Sequence, residues 1–384
     1  MAHMQTVPRP PRIAIVGTGP SGCYTAQFLL KRWPDAEITM FDRLGTPYGL
    51  IRYGVAPDHL GTKAIAKQFA RLFESSRVTF IGDVEVGRDV ALDDLRRTND
   101  AVVMATGLWA DRTIDGFHDL AGRPTRDGVY GAGRLTRMIN GYPGADASDV
   151  ALGRRTVIVG NGNVAADLVR LVLTPAGMLR DLDVPEDAIR ALQRGPIERI
   201  DVVGRSAAER AKFDVAMLKE LAGLPDVRFA HDEDLVGASP VADAVRALAA
   251  GSPRSAAREV RFHFGWSPER LEGDGRVSAA VFQATTDAGR HLELATDSVC
   301  TAVGFTEAAD DVVLRSALES GSADVERGFL ADGLYCVGWL RRGPVGTIPA
   351  NRADARLVAD SVIADVEAAL SSSAFPSASV KEHA

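Results

Sequence analysis

The sequence predicts an α/β chain of two doubly wound halves, the second inserted into the first. Three observations carry this. A glycine-rich turn, Gly17-Thr18-Gly19-Pro20-Ser21-Gly22, follows a short apolar run and opens a helical stretch. The pattern returns at Gly160-Asn161-Gly162-Asn163-Val164-Ala165. Two further apolar runs end in turns, Ala101 to Ala105 at Thr106-Gly107 and Val299 to Val303 at Gly304, and support this layout. The 384 residues also favour two domains over one. The expected boundaries are 1–106 and 305–384 for the discontinuous first domain and 107–304 for the inserted one.

In the first half, Arg12 to Val16 reads as a buried strand. The helix after the turn runs to about Arg32, and Pro34 stops it. Glu37 to Phe41 is the next strand and ends at Asp42. This is G-x-G-x-x-G in its βαβ setting, with an acid closing the second strand. Gly17 permits the tight turn, Gly19 lets the backbone approach a pyrophosphate, and Gly22 lets helix and strand pack closely. The helix N-terminus offers free N–H groups to phosphates. Asp42 can accept from ribose hydroxyls. The half is therefore Rossmann-like and dinucleotide-binding.

In the second half, Thr156 to Val159 is the strand, and the helix runs through Asp167 to about Leu173. Ala165 replaces the third glycine, which still allows close packing. The following strand, Ile200 to Val203, ends at Gly204-Arg205 rather than at an acid. Such an arginine can sit over an adenine or pair with a 2′-phosphate. Farther on, Val260 to Phe264, Val277 to Ala284 and His291 to Leu294 alternate like an antiparallel meander packed on this half.

Composition excludes several classes. No apolar run is long enough to span a bilayer, and the start lacks a secretory pattern. The net charge of −7 argues against general nucleic-acid binding. Cys23, Cys300 and Cys336 stand far apart and form no C-x-x-C, so neither a redox dithiol nor a zinc site is signalled and a cytoplasmic setting is expected. Ser371 to Ala384 reads as a frayed tail. Two dinucleotide sites in one chain suit hydride transfer from a nicotinamide, NADH or NADPH, to FAD, which releases electrons singly or in pairs.

Two long motifs then point to a family. Gly45-Thr46-Pro47-Tyr48-Gly49-Leu50-Ile51-Arg52-Tyr53-Gly54-Val55-Ala56-Pro57-Asp58-His59 and Gly338-Trp339-Leu340-Arg341-Arg342-Gly343-Pro344-Val345-Gly346-Thr347-Ile348 resemble signatures of the adrenodoxin-reductase-type ferredoxin–NAD(P)+ reductases. So does the segment from Gly160 to Asp167. The resemblance covers nearly the whole chain. It implies a glutathione-reductase-like fold and a cytoplasmic, monomeric enzyme. That enzyme would pass single electrons to an acidic ferredoxin-type iron–sulfur protein, with no nucleic acid, membrane or metal involved.

The resemblance also implies site residues. Ser21, Asp42, Leu50 and Val86 would contact the FAD nucleotide, along with the turn Gly17, Gly19, Pro20 and Gly22. Trp339 and the backbone of Gly346, Thr347 and Ile348 would lie at the flavin ring. Asn161, Gly162, Asn163 and Val164 would cradle the nicotinamide dinucleotide's pyrophosphate, with Arg205 and Ser206 at its adenosine end and Gly346 near its other end. His59 and Asp167 would form a polar, catalytic contact between flavin and nicotinamide. Arg341 and Arg342 are expected at the flavin edge, steering an acidic acceptor.

The family usually carries two adjacent arginines where this chain has Arg205-Ser206, and Glu209 follows. One arginine with a neighbouring acid modestly favours NADH. The segment between Pro225 and Arg261 also looks shorter than the relatives' partner-docking region. A reductase of quinones or other small acceptors is the alternative enzyme. A non-enzymatic flavin-binding module is the alternative of another class, and the second dinucleotide site argues against it.

Overall fold

The computed structural model describes residues 9–373 apart from 233, 234, 236, 310, 314 and 319–322. The expected frayed tail lies partly outside these residues, from 374 onward. Contacts group the chain into two compact units. One comprises residues 1–52, 61–109 and 306–384 within the described range, the other 53–60 and 110–305. The short segment 53–60 groups with the second unit, a placement nothing in the sequence indicated.

The first unit is built on a six-stranded sheet in the order Phe329–Ala331, Leu334–Cys336, Ala101–Met104, Arg12–Val16, Glu37–Phe41, Val78–Ile81. All neighbours are parallel except the outermost pair, Phe329–Ala331 with Leu334–Cys336. The central strands are continuously apolar because both faces are covered, as parallel sheets require. Ile13 to Val16 and Ala101 to Met104 are all buried. The helix Pro20–Arg32 starts with proline in the first turn, where no intrahelical N–H is needed, and ends on Lys31 and Arg32 at its negative pole.

A second helix, Ile348–Ser373, packs on the first. Its apolar stripe of Ala355, Val358, Ala359, Val362 and Val366 is fully buried at helical spacing. The Arg356 guanidinium lies 5.2 Å over the Phe28 ring. Farther along, Glu367 pairs with Arg32 and accepts from Trp33 Nε1 at 3.2 Å. Contacts in that order set the two helices parallel, so their positive N-termini lie at the same end.

The second unit holds a wholly parallel six-stranded sheet: Val129–Gly131, Ser298–Thr301, Arg155–Val159, Arg199–Gly204, Arg258–Phe264, Val227–His231. The antiparallel meander is separate and comprises Trp266–Glu272, Ala279–Ala284 and His291–Ala295. This corrects the expectation that Val260 to Phe264 belongs to the meander. That run lies inside the parallel sheet, with Val260 and Phe262 in the core. Alternation alone cannot name a strand's partners. The true third meander strand was hidden by Pro268 and its charged neighbours, where the register shifts.

Within this sheet His263 is enclosed by two carboxylates. Its Nε2 lies 2.8 Å from Asp201 Oδ1 and its Nδ1 2.8 Å from Asp232 Oδ1. Burial works against its charge, but the hydrogen bonds and charges of Asp201 and Asp232 outweigh that and raise its pKa. A raised folded-state value means stabilisation that is complete below the unfolded value and lost as pH rises through the folded one. The urea midpoint of the wild type should therefore fall as pH rises from about 6.5 toward alkaline values. His263→Gln should flatten that slope, and an unaltered slope would remove His263 as its source.

Candidate functional site

Each unit carries a glycine turn built the same way. Gly17 has φ +107, and a Cβ there would lie 2.3 Å from the Ala105 carbonyl oxygen. Gly160 has φ +140, and its Cβ would lie 2.3 Å from the Ala302 carbonyl oxygen. The Gly17 N–H donates to Phe41 O at 2.7 Å and the Gly160 N–H to Val203 O at 2.8 Å. Ala105 N donates to Val16 O and Ala302 N to Val159 O, each at 2.7 Å. In both units, then, the turn is threaded between the ends of two flanking parallel strands. Only glycine fits such a position.

The first turn fits FAD. A Cβ on Gly19 would meet nothing within 4 Å, so the backbone there faces open space at the start of the helix, where N–H groups lack intrahelical partners. Gly22 packs against the turn, where an added Cβ would lie only 2.1 Å from Gly17 O. Ser21 is buried beside Gly338, whose Cβ would lie 2.3 Å from the Ser21 Oγ. This contact brings the C-terminal motif to the first turn. Trp339 follows in the short helix Trp339–Arg342, and Thr347 precedes the helix Ile348–Ser373, accepting from Asn351 N at 3.1 Å. Gly346 has φ +86 just before it.

Asp42 is buried, and its carboxylate accepts from Thr18 N at 2.8 Å, from the Thr18 hydroxyl and from Leu44 N at 3.0 Å. It thus fixes the turn as well as offering remaining lone pairs. Val86 is buried in the same core patch as Val16 and Phe41. Tyr48 adopts φ +91, an outlier for an aromatic residue. Its N–H donates to Thr18 O at 3.1 Å, and the following Gly49 comes within 3.1 Å of the Gly19 Cα measured from its Cβ position. The first long motif is thus strained onto the glycine turn, and Leu50 opens the helix Leu50–Tyr53.

Arg341 and Arg342 do not form the exposed pair expected of docking residues. Arg341 is bonded to Asp354 and to Val325 O, and Arg342 is ion-paired with Asp354 and bonded to Asn351 Oδ1 and Val345 O. Both are largely buried because Asp354 is buried and needs its charge matched. Asp354 also accepts from Gly338 N, so these arginines brace the motif from within.

At the second turn, Asn161 Nδ2 donates to Ser206 Oγ at 2.6 Å. Asn163 Oδ1 accepts from Asp214 N at 2.7 Å. Gly162 and Val164 open the helix Asn163–Leu173. Arg205 is exposed at the end of its strand. The Glu209 carboxylate is turned toward the Gly237 backbone.

His59 and Asp167 are brought together within the second unit around Arg170, which no motif in the sequence marks. Arg170, with 8% of its side chain exposed, donates to Asp58 Oδ2 at 2.6 Å, Asp167 Oδ1 at 2.6 Å and Glu220 Oε2 at 2.9 Å. Its Nη2 also lies 3.0 Å from His59 Nε2. His59 Nε2 is 3.5 Å from Asp167 and 3.4 Å from Glu220. Burial raises the Asp167 pKa to about 6, against the lowering influence of Arg170 and His59 and with Asp58 and Glu220 adding to the rise. Arg170 follows Asp167 by three residues on one helix face, which was the available signal. Asp58 and Glu220 gave none, since their proximity is purely tertiary.

All three cysteines are buried and free. Burial pushes the thiols of Cys300 and Cys336 up to about 12 and that of Cys23 higher still, which leaves them inert.

Comparison with known proteins agrees with this geometry. The family model for pyridine nucleotide-disulphide oxidoreductases matches residues 11–329. Cindoxin reductase of Citrobacter braakii is 47% identical over 368 residues, spanning 93% of this chain and 78% of that protein. The mitochondrial NADPH:adrenodoxin oxidoreductase of Homo sapiens is 31% identical over 405 residues, spanning 96% and 81%. The structure of Mycobacterium tuberculosis FprA in complex with NADPH superposes with a TM-score of 0.86 at 30% identity, covering 96% of this chain and 87% of that one. The chain therefore belongs to the pyridine nucleotide-disulphide oxidoreductases, and among them to the adrenodoxin-reductase-type ferredoxin–NAD(P)+ reductases, FAD-dependent enzymes that carry electrons from NAD(P)H to a ferredoxin-type iron–sulfur protein.

Proposed function

We propose that this enzyme is an NADPH-preferring reductase of an acidic ferredoxin-type protein, working as a cytoplasmic monomer. The carrying observation is the duplicated glycine turn, one per unit, each closed to any side chain by a carbonyl at 2.3 Å. The ferredoxin-type acceptor is supported by the relatives' names, and its acidity by the family resemblance alone. Among the described residues no helix is long and apolar enough to cross a membrane.

Bound FAD supplies a group that accepts two electrons as hydride and returns them singly. The chain's residues do the rest. The turn Gly17, Gly19, Pro20, Ser21 and Gly22 binds the FAD pyrophosphate, with Asp42, Leu50 and Val86 at its nucleotide. Trp339, Gly346, Thr347 and Ile348 hold the flavin ring. The N-terminus of the helix Pro20–Arg32 favours the negative charge of the pyrophosphate, and that of Ile348–Ser373 favours negative charge at the flavin. Asn161 to Val164 bind the coenzyme pyrophosphate, and Arg205 its adenosine end. His59 and Asp167 orient the nicotinamide, with Arg170 positioning both.

NADPH preference replaces the expected modest lean toward NADH. That lean rested on Ser206 and Glu209. The Ser206 hydroxyl is engaged by Asn161, and Glu209 is directed at Gly237, so neither opposes a 2′-phosphate beside Arg205. The human relative and FprA of Mycobacterium tuberculosis also carry NADPH in their names. The test is purification as a yellow protein with one FAD per chain, followed by cytochrome c reduction through added ferredoxin. The expected result is a higher kcat/KM with NADPH than with NADH and a ferredoxin turnover that falls with salt. A colourless protein that takes up no FAD would overturn the enzyme reading. A higher kcat/KM with NADH would restore the original lean.

A further inference from the structure

We infer that Lys212 is a coenzyme-binding residue whose ammonium neutralises the pyrophosphate of the nicotinamide dinucleotide. This rests on the reading that the second glycine turn holds that coenzyme. Residues 211–213 run beside the turn: Lys212 N donates to Asn161 O at 2.9 Å, and Gly162 and Lys212 form a parallel bridge. A Cβ on Gly162 would lie 3.9 Å from the Lys212 Cβ, so the lysine side chain departs from alongside the glycine that admits the pyrophosphate. The side chain is exposed, and its ammonium makes no ion pair among the described residues.

The neighbours leave this task open. Asn161 and Asn163 spend their side chains on Ser206 and on Asp214 N, so they shape the turn rather than reach the ligand. The turn's remaining contribution is backbone N–H groups and the helix dipole, which carry partial charge only. A pyrophosphate brings full negative charge. Lys212 supplies a mobile full positive charge within a side chain's length of Gly162, in the manner of a phosphate-binding point charge. The fold anchors it firmly, because its own backbone is bonded to the turn. Arg205 stands at the end of another strand and is left for the adenosine end.

The test is direct binding of NADP+ and NAD+ to the FAD-loaded protein, by calorimetry or by perturbation of the flavin spectrum, for wild type, Lys212→Gln and Lys212→Arg. Because the lysine side chain is exposed, Lys212→Gln should weaken both ligands by a similar factor, roughly 5- to 20-fold, with a shallower salt dependence. Lys212→Arg should restore most of the affinity. FAD content and dithionite reduction should be unchanged in every variant. Loss confined to NADP+ would assign the lysine to the 2′-phosphate and overturn the proposal, as would equal affinity in wild type and Lys212→Gln. If the wild type itself binds neither dinucleotide, the underlying coenzyme-site reading fails instead.

Discussion

Gly160→Ala should give a protein that keeps its FAD but is scarcely reduced by NADPH. The new Cβ would sit 2.3 Å from the Ala302 carbonyl oxygen at a φ of +140, so either the strand end or the turn must move. Both strain and displacement act on the second turn, and the first turn lies in the other unit. A loss of about 3 kcal/mol in coenzyme positioning corresponds to roughly a 100-fold fall in the rate of flavin reduction. Anaerobic stopped flow measures it, with dithionite reduction and FAD stoichiometry as controls for folding. A variant reduced by NADPH at the wild-type rate would show that coenzyme does not use this turn. Gly17→Ala is the mirror experiment, and there the expected loss is of FAD itself.

Arg170→Ala should destabilise the second unit by about 3 kcal/mol, near the lower end for loss of one partner from a buried ion pair, because Glu220 is half exposed and partly solvated. The cause is electrostatic. Three carboxylates, Asp58, Asp167 and Glu220, converge on one guanidinium. Without it, Asp167 keeps the burial that raises its pKa to about 6 and loses the largest opposing influence, so its pKa should climb further. In the wild type a folded value above the ordinary carboxylate range means the folded protein holds the proton more tightly. That contribution to stability is present at low pH and declines as pH rises through about 6. Asp167→Asn should abolish that decline. Arg170→Lys should recover part of the stability but not the fork geometry toward Asp58 and Asp167. The pH profile of flavin reduction separates positioning from mere structure. A positioning role predicts an alkaline shift of its acidic limb in Arg170→Lys, and an unmoved limb would leave Arg170 purely structural.

Several features were legible because they are local. The turn at Gly17 and its copy at Gly160 announce themselves by spacing, since close backbone approach leaves no residue but glycine. The strands around them read as continuous apolar runs, and the observed bounds Arg12–Val16, Pro20–Arg32 and Asn163–Leu173 follow the apolar and proline signals closely. The helix Ile348–Ser373 went unread, although its alanine and valine stripe has helical spacing, because small residues give a weak apolar contrast. Val260 to Phe264 was given to the wrong sheet, since a period of two is the same whichever strands lie alongside.

By itself the sequence determined that this chain has two dinucleotide folds, one inserted in the other, and to which family it belongs. Those properties are written in backbone constraints and in motifs that are contiguous. Only the tertiary structure decided what individual side chains do. It took Arg341 and Arg342 away from the surface by pairing them with the buried Asp354. It gathered Asp58, His59, Asp167 and Glu220 around Arg170, and it laid Lys212 beside Gly162. The physical reason is that a charge is committed by its nearest partner, and partners that do not share one helix face are chosen by packing rather than by sequence spacing.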